Sequence, residues 1–225
     1  MAAMEQTPAH DNANLTVLEL LPPQSKRIIE IGCGSGALAR EYKKVNSDCH
    51  YLGLDIVEEY ANMAARYCDE TVVADIEKQD DSFFIKNKDR DCWVFADSLE
   101  HLVNPWLVLE RVRKVIPDNG YIIACIPNAQ NWTVVANLAI GNFRYQDSGL
   151  LDRTHLRWFT RQTMIELFVG AGFQVESITS RIIGDPNNVP FLSIIREIAN
   201  FANINADMTV TDSIPFQYVL RVKPA

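Results

Sequence analysis

The sequence predicts an α/β fold, a mostly parallel sheet covered by helices on both faces. Short apolar runs of strand length alternate with stretches whose apolar positions recur at helical spacing, a pattern that implies right-handed crossovers. The first run leads directly into Gly32, Gly34 and Gly36, a glycine-rich turn between a strand and a helix. The chain of 225 residues suffices for one sizeable core. The expected organisation is a flexible start over residues 1–14 and a single domain over 15–225, with a lid over about 128–159.

The elements follow in order. Residues 14–23 read as a short amphipathic helix stopped by Pro22 and Pro23. Residues 26–31 form a buried strand, and Leu38, Tyr42 and Val45 mark a helix beyond the glycines. A second strand at 50–55, a helix at 56–67 and a third strand at 71–75 complete a βαβαβ alternation. The fourth strand is 91–97. The helix after it opens with Asn104 as cap and Pro105 at the first helical position, where a missing N–H costs nothing. Strand five spans 120–128. After the mixed segment come a helix at 160–172, a strand at 173–182, an ambiguous helical stretch near 190–203 and a final strand at 216–223.

Composition narrows the partners. A formal charge of −8 without a basic cluster argues against nucleic acid and anionic membranes, and no apolar run is long enough to span a bilayer. Five cysteines without a C-x-x-C pair suggest neither a disulfide framework nor a zinc site, so a reducing cytoplasm is expected. Residues 1–14 lack the basic start and apolar run of a secretory signal. No His, Asp or Glu cluster shows metal-ligand spacing, so no metal is expected.

In parallel sheets of this kind ligands bind beyond the carboxyl ends of the strands, where the glycine turn stands. Lacking Cβ atoms, the glycines can take positive φ and let a ligand approach the main chain. From Gly34 the turn also satisfies G-x-G-x-x-A, so a dinucleotide remains one reading. Three carboxylates favour a cation instead. Glu30, near the end of strand one, would repel a pyrophosphate. Asp55 ends strand two, where it can accept both hydroxyls of a ribose. Asp75 ends strand three, where it can accept from an adenine amino group while Ile76 packs on the ring.

On these residues the sequence resembles the class I S-adenosylmethionine-dependent methyltransferases. Their E/D-x-G-x-G-x-G loop matches residues 30–36, and their second- and third-strand acids match Asp55 and Asp75. The likeness runs over about residues 26–180. It implies a Rossmann-like seven-stranded sheet of order 3-2-1-4-5-7-6 with the last strand antiparallel. It also implies S-adenosyl-L-methionine as cofactor and S-adenosyl-L-homocysteine as product. The cofactor would rest on Glu30, Gly32, Cys33, Gly34, Gly36, Asp55, Ile56, Asp75 and Ile76, with Ala96 and Asp97 beside its methionine part. Asp97 has a second reading as a helix-start acid.

Methyl transfer is an in-line displacement that depends largely on positioning, with a base helping when the acceptor is a hydroxyl. His101, after strand four, and His155, in the lid, compete for that role; each can also be read as orienting a loop. Residues 150–160 resemble a stretch that shapes the acceptor site in a subset of bacterial methyltransferases associated with sugars and other small metabolites. By that likeness Tyr145, Arg153, Arg157 and Trp158 line the acceptor pocket. The competing reading pairs the arginines with Asp147 and Asp152 and buries Trp158 and Phe159. The resulting expectation is O-methylation of a sugar or sugar-linked metabolite. A silent cofactor-binding module of a larger glycan-processing protein and a nicotinamide-dependent oxidoreductase stay open.

Overall fold

The computed structural model describes residues 11–185 and 189–225. Along the chain it contains α1 (Leu15–Leu20), β1 (Arg27–Ile31), α2 (Ala37–Val45), β2 (His50–Asp55), α3 (Glu58–Ala64), β3 (Glu70–Val73), α4 (Asp81–Lys86), β4 (Cys92–Ala96) and α5 (Pro105–Val115). Then come β5 (Tyr121–Pro127), α6 (Trp132–Ala139), α7 (Arg161–Gly170), β6 (Phe173–Arg181), α8 (Phe191–Phe201), α9 (Ala206–Ser213) and β7 (Gln217–Pro224). The seven strands lie in the order β3-β2-β1-β4-β5-β7-β6. Strands β1 to β5 pair in parallel, and β7 runs antiparallel between β5 and β6. This is the order that the resemblance implies.

Side chains of successive strand residues point to opposite faces, and the two halves of the core follow that alternation. Ile29, Leu52, Trp93, Phe95 and Ile122 pack on one face with the helices α5 and α7, while Ile28, Tyr51, Cys92, Val94 and Ile123 pack on the other with α1 and α2. Both faces are therefore covered, as a parallel sheet requires.

The helix ends show why these segments stop and start where they do. Asn14 accepts from the Val17 amide at the start of α1, and Asn104 accepts from the Leu107 amide with Pro105 at the first position of α5. Thr160 and Thr163 form a reciprocal capping box at α7. Helix α4 was not anticipated: six residues are too few to show periodicity. It is held by the Asp80 cap and by Phe84, whose ring stacks on Trp93 with centroids 6.0 Å apart. Helix α6, inside the mixed segment, and α9, beyond the ambiguous stretch, were likewise unmarked.

After α6 the chain doubles back over the turn that follows β4. The amides of Leu156 and Arg157 both donate to the Glu100 carbonyl, at 2.8 and 2.9 Å. Isolated bridges join Gln146 to Asp152 and Asn128 to Phe159. Of the expected flexible start, residues 1–10 lie outside the described residues; Asp11 pairs with Arg40 of α2.

Candidate active site

A cavity of about 690 Å³ opens at the carboxyl ends of β1, β2 and β4. Glu30, Gly32, Cys33, Gly34, Asp55, Ile56, Asp75, Ile76, Ala96 and Asp97 all line it, together with His101 and His155. Gly36 stands one turn back, as the first residue of α2's entry. The three carboxylates singled out in the sequence therefore face one space.

The glycines are required by their surroundings. Gly32, Gly34 and Gly36 have φ of 77°, 52° and 77°, in the left-handed region that residues with a Cβ rarely adopt. A Cβ on Gly36 would lie 2.8 Å from the Ala64 Cα, and one on Gly32 would lie 3.2 Å from the Ser98 Cβ. Between them, the Gly34 amide donates to Asp55 Oδ2 at 2.9 Å, and the Val57 amide donates to Asp55 Oδ1 at 2.9 Å. The turn after β1 and the turn after β2 are thus tied through one side chain.

Electrostatics select the kind of ligand. Glu30 is buried, and the Tyr51 hydroxyl donates to it at 2.9 Å. Burial, with a smaller contribution from Asp55, nonetheless pushes its carboxyl up to about 8. A cation brought beside it would favour the ionised form, whereas a phosphate would not. Burial raises Asp55 as well, against the amides that hold it. Asp75 accepts from the Glu77 amide and pairs with Lys78 at 3.0 Å. Ile56, half exposed at the rim, and Ile76, buried beneath it, offer apolar surface for a flat ring. Ser98 adds a buried hydroxyl without a hydrogen-bond partner at the cavity wall. Glycine cradle, acids, apolar clamp and orphaned hydroxyl all fit an adenosyl sulfonium.

Asp97 is not the helix-start acid of the second reading. Its φ is 57°, its amide donates to the Cys125 carbonyl at 3.1 Å, and its carboxylate accepts from Gln217 of β7.

His101 and His155 meet edge to face with ring centroids 4.9 Å apart. His101 Nδ1 lies 3.1 Å from the Thr154 carbonyl and His155 Nδ1 lies 3.2 Å from the Leu150 carbonyl. A carbonyl only accepts, so each Nδ1 carries the proton and each Nε2 keeps its lone pair. Burial lowers both imidazoles below their ordinary value, and for His155 the neighbouring His101 adds to the effect. The pair is therefore neutral near pH 7. Thr154 is itself fixed, its hydroxyl donating to Asp152 at 2.7 Å.

The acceptor-side residues expected from the sequence are placed elsewhere. Tyr145, Arg153, Arg157 and Trp158 are not among the cavity's lining residues. Arg153 pairs with Asp147, and Arg157 donates to the Val103 carbonyl and lies over the Trp106 ring. Tyr145 and Trp158 pack on Phe143. The competing reading holds for Arg153 with Asp147 and for the buried Phe159, whereas Arg157 finds a backbone carbonyl and Trp158 is exposed. In their place the cavity is lined by Ser148, Asp152, Arg181, Phe216 and Gln217. Arg181 and Gln217 belong to the last strands and Phe216 directly precedes β7, far along the chain from any motif. Glu100 was also passed over, although it sits in the same tripeptide as His101.

The sequence matches a family model described as a methyltransferase domain over residues 8–178. This chain belongs to the class I S-adenosylmethionine-dependent methyltransferases. No curated protein sequence matches it. Among solved structures it resembles a Thermotoga maritima methyltransferase described as a possible histamine N-methyltransferase (TM-score 0.62, 16% identity, 93% of this chain and 86% of that one). It also resembles the magnesium protoporphyrin IX methyltransferase of Synechocystis (TM-score 0.60, 11% identity, 94% and 81%). A third is the O-methyltransferase of neocarzinostatin biosynthesis, of which this methyltransferase spans about half (TM-score 0.58, 12% identity, 94% and 53%). Membership in this family sets the nicotinamide reading aside, and Glu30 gives the physical reason: at the glycine turn a pyrophosphate would face a carboxyl group. Among the described residues no helix is long and apolar enough to cross a membrane.

Proposed function

We propose that this methyltransferase methylates a hydroxyl of a small polar acceptor, of the sugar or sugar-linked class. The observation that carries the reading is the His101 and His155 pair, with two lone-pair nitrogens on the wall of the same cavity as the glycine cradle. When bound, S-adenosylmethionine supplies a sulfonium methyl that an oxygen nucleophile can attack in line. Gly32 and Gly34 leave room for its methionine part, Glu30 answers its positive charge, Asp55 accepts from the ribose, and Asp75 with Ile56 and Ile76 holds the adenine. The histidines activate the acceptor hydroxyl, and the segment over Glu100 keeps bulk water from that corner. Ser148, Asp152, Arg181 and Gln217 present hydrogen-bonding groups suited to a polyhydroxylated molecule, and Phe216 offers a face for a sugar ring.

Transfer of labelled methyl to pooled sugars, nucleotide sugars and phenols tests the reading. O-methylated sugar is the expected product. Label carried only by phenols, or no transfer despite tight S-adenosylhomocysteine binding, would overturn it.

A further inference from the structure

We propose that Glu100, His101 and His155 form a binding site for one divalent transition-metal ion of the zinc class. One ligand atom from each of the three lies within 4.8 Å of the others, and all three residues line the cavity. Ligands about 2.0–2.2 Å from a tetrahedral ion stand about 3.3–3.6 Å apart, so closure draws the three atoms together by up to about 1.5 Å.

The strongest evidence is Glu100 itself. It is 1% exposed, and neither carboxylate oxygen has a hydrogen-bond partner. A buried carboxyl group left without partners is costly. His155 Nε2 stands 4.0 Å from Oε1, too far for a hydrogen bond. A dication between them gives the orphaned oxygens a partner.

The histidines are prepared in the same sense. A metal-ligating imidazole characteristically donates its other N–H to a carbonyl or carboxylate, which fixes the tautomer and the ring. Both do so here, to the Thr154 and Leu150 carbonyls. The backbone of the ligand segment is held as well: the Leu156 and Arg157 amides close on the Glu100 carbonyl. Two imidazoles and one carboxylate leave open positions on the cavity side, as catalytic zinc and related sites do. Sequence spacing conceals the site, because its third ligand comes from a segment that returns to the first two only in the fold. The proposal rests on the reading of the cavity as an acceptor site; with the imidazole lone pairs on the ion, the ion takes over from the free histidines in gripping and activating the acceptor oxygen.

The test uses the full chain without an affinity tag, stripped with chelator and titrated with Zn²⁺ or Co²⁺ alone. The expected result is about one equivalent bound per chain, with a Co²⁺ visible spectrum lacking thiolate charge-transfer bands. Glu100→Gln and His155→Gln should each weaken binding at least tenfold while S-adenosylhomocysteine still binds, which shows that the variants are folded. Absence of stoichiometric binding to the wild-type protein, or equal binding by both variants, would overturn the metal site. Because metal content and S-adenosylhomocysteine affinity are measured separately, loss of the first leaves the methyltransferase reading standing. Failure of acceptor screening with the metal bound would strike that reading alone.

Discussion

Glu30 shows how a single side chain joins stability to ligand choice. Its carboxyl ordinarily titrates at 4.5, and in the fold burial raises it to about 8. Between those values the folded protein holds a proton that the unfolded chain has lost, so the contribution of Glu30 to stability is full below 4.5 and fades as pH rises through 8. Glu30→Gln, of the same shape and always neutral, should abolish that slope. The stability of the wild type relative to the variant is expected to fall by up to about 1.4 kcal/mol per pH unit across the window. Urea unfolding at intervals from pH 5 to pH 8 measures it; two parallel curves would contradict the assignment. The acid itself was legible in the sequence because it stands two residues before the first glycine. Its raised titration was not, since that depends first on burial in the fold, with the Tyr51 hydroxyl of β2 opposing it and Asp55 adding to it. The same limit hid the partners of Arg153 and Arg157: a sequence shows charge, not the distance to the nearest carbonyl or carboxylate.

Between elements, asparagines do the joining. Asn128, at the end of β5, donates to the carbonyls of Asp212 and Pro215 at 2.8 and 2.9 Å, and accepts from the Gln130 amide at 3.0 Å. Asn131 donates to Ile214 and Pro215 at 3.0 Å each, while capping α6. Both side chains are buried, and together they set the approach of the chain into β7. Asn128→Ala removes a donor from the Asp212 carbonyl and one of the two donors to the Pro215 carbonyl, and is expected to cost about 1–3 kcal/mol, read as a lower denaturant midpoint with an unchanged slope. A loss below half a kilocalorie would show that water replaces the amide. At this scale the strands and long helices could be read in advance, because their alternation extends over enough residues to be periodic. Helices α4, α6 and α9 could not: each has eight residues or fewer, and caps and tertiary contacts decide them.

Taken as a whole, the molecule is an acidic body with its buried acids gathered at one end of the sheet. Its formal charge is −8, and S-adenosylmethionine carries one net positive charge that S-adenosylhomocysteine lacks. Raising ionic strength should therefore weaken S-adenosylmethionine binding more than S-adenosylhomocysteine binding, a difference that calorimetry at low and high salt can resolve. Equal salt dependence would mean that the field of the protein plays no part in choosing its ligand. The fold class and the cofactor end of the cavity were legible because they are local to strand ends. The part of the cavity proposed for the acceptor was not, because it is assembled from the segment after α6 and from the chain around the last two strands. That assembly has a temporal corollary. Strand β6 touches the sheet only through β7, so its hydrogen bonds wait until Gln217–Pro224 has left the ribosome and slipped into the gap beside β5. Until then Arg181, at the far end of β6, has no Gln217 to meet, and a nascent chain carries a half-built pocket with nothing yet to hold a substrate.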